Sequence, residues 1–116
     1  MVTLGKHSYG DIKIFDSHWG KVNVGNYTSI GRNVVAFMSY DHKTDNISTY
    51  PFGHPHVSIT KIMKPPLPNR RDFNTKNRLT LNIGNDVWIG HNAVLFGGIT
   101  VGDGAVVGAY SIITKD

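Results

Sequence analysis

The sequence predicts an all-β chain wound into a parallel β-helix, and three observations predict it. From Ile83 onward the chain falls into blocks of six, IGNDVW, IGHNAV, LFGGIT, VGDGAV, VGAYSI and the opening of another, ITKD. Every block begins with a branched aliphatic residue, and every complete block carries a small or β-branched residue at its fifth place. Glycine, asparagine and aspartate crowd the places between. A period of six is neither the 3.6-residue turn of an α-helix nor the two-residue alternation of a lone strand. It fits a short extended side followed by a turn, repeated along the chain.

The elements follow in chain order. Toward the N-terminus the pattern decays, and His18 stands where an aliphatic residue is expected. It is clear in VGNYTS (24–29) and IGRNVV (30–35). It returns with Ile83, Ile89, Leu95, Val101, Val107 and Ile113, which are expected to be buried on successive sides. The fifth residues, Val87, Ala93, Ile99, Ala105 and Ser111, point inward near corners that admit only slim side chains. Glycine after the leading residue, as at Gly84, Gly90, Gly102 and Gly108, is expected to supply turn conformations including positive φ. Asn26, Asn33, Asn85, Asp86, Asn92 and Asp103 suit the remaining turn places for related reasons. Three sides close a triangular coil, and stacked coils pair at the strand spacing of about 4.8 Å while burying one another's aliphatic residues. Periodicity leaves the hand of the coil open.

Between the two periodic stretches the hexads stop. The reading is one domain over 1–116, with coils over about 12–36 and 81–116 and an excursion over about 37–80. An insertion of that length in a small domain is usually functional or disordered. It holds all five prolines (Pro51, Pro55, Pro65, Pro66, Pro68) and three of the six histidines, His42, His54 and His56.

The bulk numbers bound the classes. A chain of 116 residues has room for one domain and buries a modest fraction of its surface, so self-association is expected. With 40% hydrophobic and 17% charged residues it is globular, and with no cysteine it has neither disulfides nor cysteine zinc ligands. No signal-like segment opens the chain and no run nears the ~20 apolar residues of a membrane span, so the expectation is a soluble cytoplasmic protein with no membrane partner. The net charge is +4, much of it in Lys61, Lys64, Arg70, Arg71, Lys76 and Arg78. No interleaved aromatic signature accompanies that run, which reads as a solvated loop and not a nucleic-acid surface. A catalytic zinc needs three protein ligands, and the spacing of His54, His56 and His91 does not supply them. No metal is expected.

The most specific segment is Asp41-His42-Lys43-Thr44-Asp45 followed by Ser48-Thr49-Tyr50-Pro51-Phe52. Together with the hexads from Ile83 to Asp116, including Trp88, it resembles the xenobiotic acetyltransferase branch of the hexapeptide-repeat acyltransferases, which includes chloramphenicol and streptogramin acetyltransferases. The matching motifs span most of residues 24–116. The resemblance implies a left-handed helix and an acetyltransferase that uses acetyl-CoA on a hydroxyl or amine of a small acceptor, a sugar or an antibiotic-like molecule. It makes His42 the general base, a role that suits an imidazole titrating near neutrality. Asp41, Asp45 or a backbone carbonyl would orient its second nitrogen. It implies a homotrimer with acetyl-CoA along the groove between subunits. The matching positions are near Trp88, Gly98, Ala105, Ala109, Thr114 and Lys115, with Trp88 against the pantetheine arm and Lys115 near a CoA phosphate. Tyr9 and Tyr50 become candidates for the acceptor site.

The chain departs from that pattern at both ends, beginning close to its first coil and stopping at Asp116, where relatives continue through a turn, a strand and a capping helix. A C-terminal truncation that leaves an open strand edge is therefore expected. It keeps a second reading alive, a non-catalytic β-helix serving as a structural or assembly module, or an inactive fragment. Binding of acetyl-CoA separates the two.

Overall fold

The computed structural model describes residues 1–15, 19–38, 50, 58 and 79–116. The chain divides into two compact units, Met1–Tyr40 with Thr75–Asp116, and Asp41–Asn74. The second unit falls almost wholly outside the described residues. Among the described residues no helix is long and apolar enough to cross a membrane.

Among the described residues, eleven short strands build the first unit: β1 (Val2–Leu4), β2 (Ile12–Phe15), β3 (Lys21–Val24), β4 (Ser29–Ile30), β5 (Val34–Phe37), β6 (Thr80–Ile83), β7 (Trp88–Ile89), β8 (Val94–Phe96), β9 (Thr100–Val101), β10 (Val106–Val107) and β11 (Ile112–Ile113). They form three sheets, with every pairing parallel. Face A is ordered β1-β3-β6-β9, face B is β4-β7-β10, and face C is β2-β5-β8-β11. Tyr9 adds an isolated parallel bridge to Ser29 at the edge of face B. Each turn of chain visits A, B and C in order, so four coils are stacked.

The leading aliphatic residues point inward and stack in register. Ile83 pairs with Val101, Ile89 with Val107 and Leu95 with Ile113, each eighteen residues on, or three hexads. Ile89 and Leu95 are 0% exposed, and Ile83, Val101 and Val107 are buried with them. Ile113, in the last coil, packs against the core but is only partly buried. The fifth residues Val87, Ala93 and Ile99 are buried as expected, and Ala105 and Ser111 are partly so. The corresponding residue of the second coil is Thr28, also fully buried. Its hydroxyl donates to the Gly84 carbonyl at 2.9 Å and accepts from the Val87 amide at 3.2 Å. Those bonds offset the cost of burying a polar group.

The glycines act differently from expectation. Within the hexads the left-handed backbone positions are the fourth residues: Tyr27 (φ 58), Asn33 (57), Asp86 (54), Asn92 (58), Gly98 (86), Gly104 (72) and Tyr110 (62). Through the third coil, the second-position glycines are there because the next coil lies against them. A Cβ on Gly31 would stand 2.8 Å from the His91 amide nitrogen, and one on Gly90 would stand 2.5 Å from that of Ala109. Asparagine and aspartate side chains then tie the A/B corner together along the helix. The amides of Lys6, Asn26 and Asn85 donate to the side-chain oxygens of Asn26, Asn85 and Asp103 in the following coil, at 2.8, 2.8 and 2.6 Å.

The solenoid also begins earlier than residue 12. Strand β1 pairs with β3 through Val2↔Val22 and Leu4↔Val24, a step of twenty residues. Ile12↔Val34 is a step of twenty-two. The first coil is therefore a true coil whose corners differ in length from a hexad corner, and the sequence loses its phase while the core does not. The excursion leaves after β5 and returns before β6, at the corner between faces C and A. Coils two and three nevertheless stay in register on all three faces.

Candidate functional site on the outer faces of the coils

Residues that alternate with the core residues point outward, and parallel pairing lines them up in rows across the coils. The three faces have different rows. Face A presents Thr3, Asn23, Asn82 and Thr100, all exposed and polar. The Asn23 Nδ2 donates to Asn82 Oδ1 at 3.0 Å. Face B presents Tyr9, Ser29, Trp88 and Val106 in register. Its three large members are 63%, 59% and 66% exposed.

Face C carries two outward rows. One runs Lys13, Val35, Val94 and Ile112. The other is a phenylalanine ladder, Phe15, Phe37 and Phe96, with ring centroids 5.5 and 5.8 Å apart. The Lys13 ammonium lies 4.8 Å from the Phe15 centroid, a cation–π distance.

The corners add further groups. His7 stacks on Tyr27 at the A/B corner, with centroids 5.2 Å apart. At the B/C corner Tyr110 and His91 meet edge to face at 5.6 Å. Among the described residues no cluster of three or more histidine, aspartate or glutamate side chains is placed to hold a metal ion.

The predicted site residues are spread over this frame. Tyr9, a candidate for the acceptor, and Trp88, a candidate for the cofactor, lie on the same row of face B with Ser29 between them. Ala105 ends the A/B corner, its carbonyl accepting from the Trp88 amide at 3.0 Å. Ala109 is exposed at the B/C corner beside Tyr110. Gly98 turns the C/A corner with φ 86, and its amide is engaged with the Thr80 carbonyl at 2.8 Å. Thr114 and Lys115 follow β11 and are exposed. The six cofactor candidates are thus spread over face B (Trp88) and all three corners of the third and fourth coils (the other five), so one copy does not gather them into a single pocket. His42 lies outside the described residues. Tyr50 is 48% exposed and belongs to the second unit.

Sequence reasoning missed the row itself. Ser29 and Val106 were not among the candidates, although the eighteen-residue offset from Trp88 to Val106 carried the signal.

A four-coil parallel β-helix of hexads, with one polar and two apolar outer faces, defines the class: a hexapeptide solenoid. Residues 81–115 match the family described as bacterial transferase hexapeptide (six repeats). The chain is 36% identical to a chloramphenicol acetyltransferase of Agrobacterium fabrum, over 95% of this chain and 52% of that protein. It is 34% identical to a probable macrolide acetyltransferase of Lysinibacillus sphaericus, over 82% and 50%. It is 28% identical to the galactoside O-acetyltransferase of Escherichia coli, over 98% and 55%. The chain spans about half the length of these curated relatives. It belongs to the hexapeptide-repeat transferases, on the branch that holds the chloramphenicol acetyltransferases, and its helix is left-handed.

Proposed function

We propose that this chain transfers an acetyl group from acetyl-CoA to a hydroxyl or amine of a small acceptor, a sugar or an antibiotic-like molecule, with His42 as general base. The observation that carries the reading is the similarity across nearly the whole chain to proteins named as chloramphenicol, macrolide and galactoside acetyltransferases. In this reading the imidazole of His42 takes the acceptor proton as the oxygen or nitrogen attacks the thioester carbonyl. The tetrahedral intermediate collapses, the carbon–sulfur bond breaks, and the proton leaves with the CoA thiol. General-base catalysis of this kind is typically worth about 10²–10⁴ in rate. Alignment of the two substrates supplies much of the rest.

Trp88 packs on the pantetheine arm, and Gly98, Ala105, Ala109, Thr114 and Lys115 line the cofactor groove, gathered from neighbouring copies of a homotrimer. The spread of these residues over face B and three corners supports a groove shared between copies. Tyr9 and Tyr50 belong to the acceptor side. The test is release of the CoA thiol on incubation with acetyl-CoA and a panel of free sugars, galactosides, nucleotide sugars, chloramphenicol and a macrolide. His42→Ala should lower turnover by about 10²–10⁴ while acetyl-CoA still binds. It should also abolish the limb of the pH–rate profile that rises near neutrality. Near-normal turnover by His42→Ala would remove the assignment. Intact protein that neither binds acetyl-CoA nor releases thiol with any acceptor would leave the non-catalytic reading.

A further inference from the structure

We propose that the peptide unit Asp103–Gly104, at the A/B corner of the fourth coil, is a site of spontaneous covalent modification. The aspartate isomerises through a cyclic imide, and opening of the fourth coil sets the rate. The modification does not depend on acetyl transfer.

The sequence supplies one place for it. Closing the imide brings the amide nitrogen of the following residue onto Cγ of the aspartate, and any side chain on that following residue crowds the approach. Glycine has none. Of the eight acidic residues, all aspartate, only Asp103 precedes a glycine, and no asparagine does. The surroundings are open as well. Asp103 and Gly104 are both exposed. Gly104 takes a left-handed backbone (φ 72), and a Cβ built on it would meet nothing within 4 Å. The same hexad places in the second and third coils hold Asn26-Tyr27 and Asn85-Asp86, whose second members carry the side chain that hinders closure.

The step is a condensation followed by a hydrolysis. The Gly104 nitrogen loses its proton and bonds to Asp103 Cγ, the carboxyl carbon–oxygen bond breaks, and one water leaves. Water then reopens the ring. Attack at Cγ restores aspartate. Attack at the main-chain carbonyl carbon of Asp103 leaves the chain running through Cγ, as isoaspartate. Nothing is oxidised or reduced, and the net mass is unchanged.

The folded coil holds both reacting groups back. Asp103 Oδ1 accepts from the Asn85 amide at 2.6 Å. The Gly104 amide donates to the Asn85 carbonyl at 2.9 Å. One residue of the third coil therefore engages the electrophile and the nucleophile together. The carboxyl must leave the Asn85 amide and the Gly104 nitrogen must leave the Asn85 carbonyl before the two can meet, so the third and fourth coils have to part at this corner.

The fourth coil is the part best able to open. Local opening favours regions with few buried apolar contacts. Val101 and Val107 are 7% and 6% exposed and Ile113 is only partly buried, whereas Ile89 and Leu95 in the third coil are 0% exposed. The strands of the fourth coil, β9, β10 and β11, have two residues each. Isoaspartate would add a methylene to the backbone there and shorten the side chain that caps the Asn85 amide. Two residues on, the Ala105 carbonyl accepts from the Trp88 amide at 3.0 Å, so the lesion would loosen the pairing that sets Trp88 on face B.

The experiment ages the full chain at neutral pH below its melting temperature. Isoaspartate is mapped by a protease that cuts before aspartate and not before isoaspartate, with tandem mass spectrometry of the peptides. It should accumulate at position 103 ahead of every other aspartate, and about tenfold more slowly than in the same chain unfolded in urea. Ile113→Ala, which loosens the fourth coil, should speed it several-fold, in step with hydrogen exchange at the Gly104 amide. Ile12→Ala, in the first coil, should leave the rate unchanged. Asp103→Glu, which would have to close a larger and slower ring, should stay unmodified at that position. An aged chain with aspartate intact at 103 overturns the proposal, as does one that isomerises as fast folded as in urea. Equal acceleration by Ile12→Ala and Ile113→Ala also overturns it, because the gate would then be unfolding of the whole chain.

Discussion

The first coil and the last two are built on one plan, yet only the last two look alike in sequence. In coils three and four the step between stacked residues is eighteen on every face. In coil one it is twenty on face A and twenty-two on face C. Ile12 is nonetheless as well buried, at 2% exposed, as Ile83 at 3%. Periodicity in this chain therefore reports the length of the corners and not the presence of the core.

The sharpest way to break that equivalence is to empty both cores. Leu95→Ala, in a fully buried site, should cost about 2–5 kcal/mol through lost transfer energy and the cavity left behind. If coil one is a working coil, Ile12→Ala should fall in the same range, measured by urea denaturation. A cost near zero at Ile12 would make the first coil an appendage. Ile113→Ala should cost less than either, because that side chain is only partly buried.

Glycine sharpens the comparison from the backbone side. A Cβ on Gly84 would run into the backbone and side chain of Asp103, whereas one on Gly102 meets nothing within 4 Å. Gly84→Ala should therefore destabilise by about 1–3 kcal/mol, as overpacking does. Gly102→Ala should be neutral or gain about 0.4–1 kcal/mol from a less flexible unfolded chain. Equal losses at both positions would mean that the second-position glycine is needed for its own conformation after all.

Next is Thr28→Val, which keeps the shape but leaves the Val87 amide without the Thr28 hydroxyl. The expected loss is about 1–3 kcal/mol. A smaller loss is expected at the exposed corner, where Asn26→Ala removes one acceptor from the ladder and should cost about 0.5–1.5 kcal/mol. Hydrogen exchange should then quicken at the Lys6 amide, the group that bond protects.

Legibility in the sequence divides along the same line. Ile83, Ile89, Leu95, Val101 and Val107 announced their burial because a repeated corner repeats its residue types. Coil one was only half legible, since the buried Ile12 and the partly buried Val2 belong to corners whose lengths repeat nowhere else in the chain. The glycines were found but misread: a sequence shows that a position is small, and only stacking shows whether backbone conformation or a neighbour demands it.

The candidate site was legible as separate residues and not as a surface. Tyr9 and Trp88 are far apart in the chain, and only the pairing of Tyr9 with Ser29 and of Ser29 with Trp88 puts them on one row. Tyr27 and Tyr110 gave no warning, because nothing in a hexad marks an aromatic residue that will take a left-handed backbone. His42 was reached through its D-H-K-T-D segment and the S-T-Y-P-F stretch after it, a resemblance and not a periodicity.

The unbroken register on either side of the excursion has a consequence for folding. Contacts between coils three and four close loops of eighteen residues, while those between coils two and three close loops of 59. Loop-closure entropy grows only with the logarithm of length, so the longer closure costs about 1 kcal/mol more than the shorter one. The residues from Thr80 to Ile113 can pair locally and should form first, and the second coil must search across the whole insertion to find them. Lengthening or shortening that insertion should slow or hasten the docking step and leave equilibrium stability nearly unchanged. A C/A corner is thus a place where this solenoid can accept new chain at small thermodynamic cost, with the delay falling on how quickly the two halves of the stack meet.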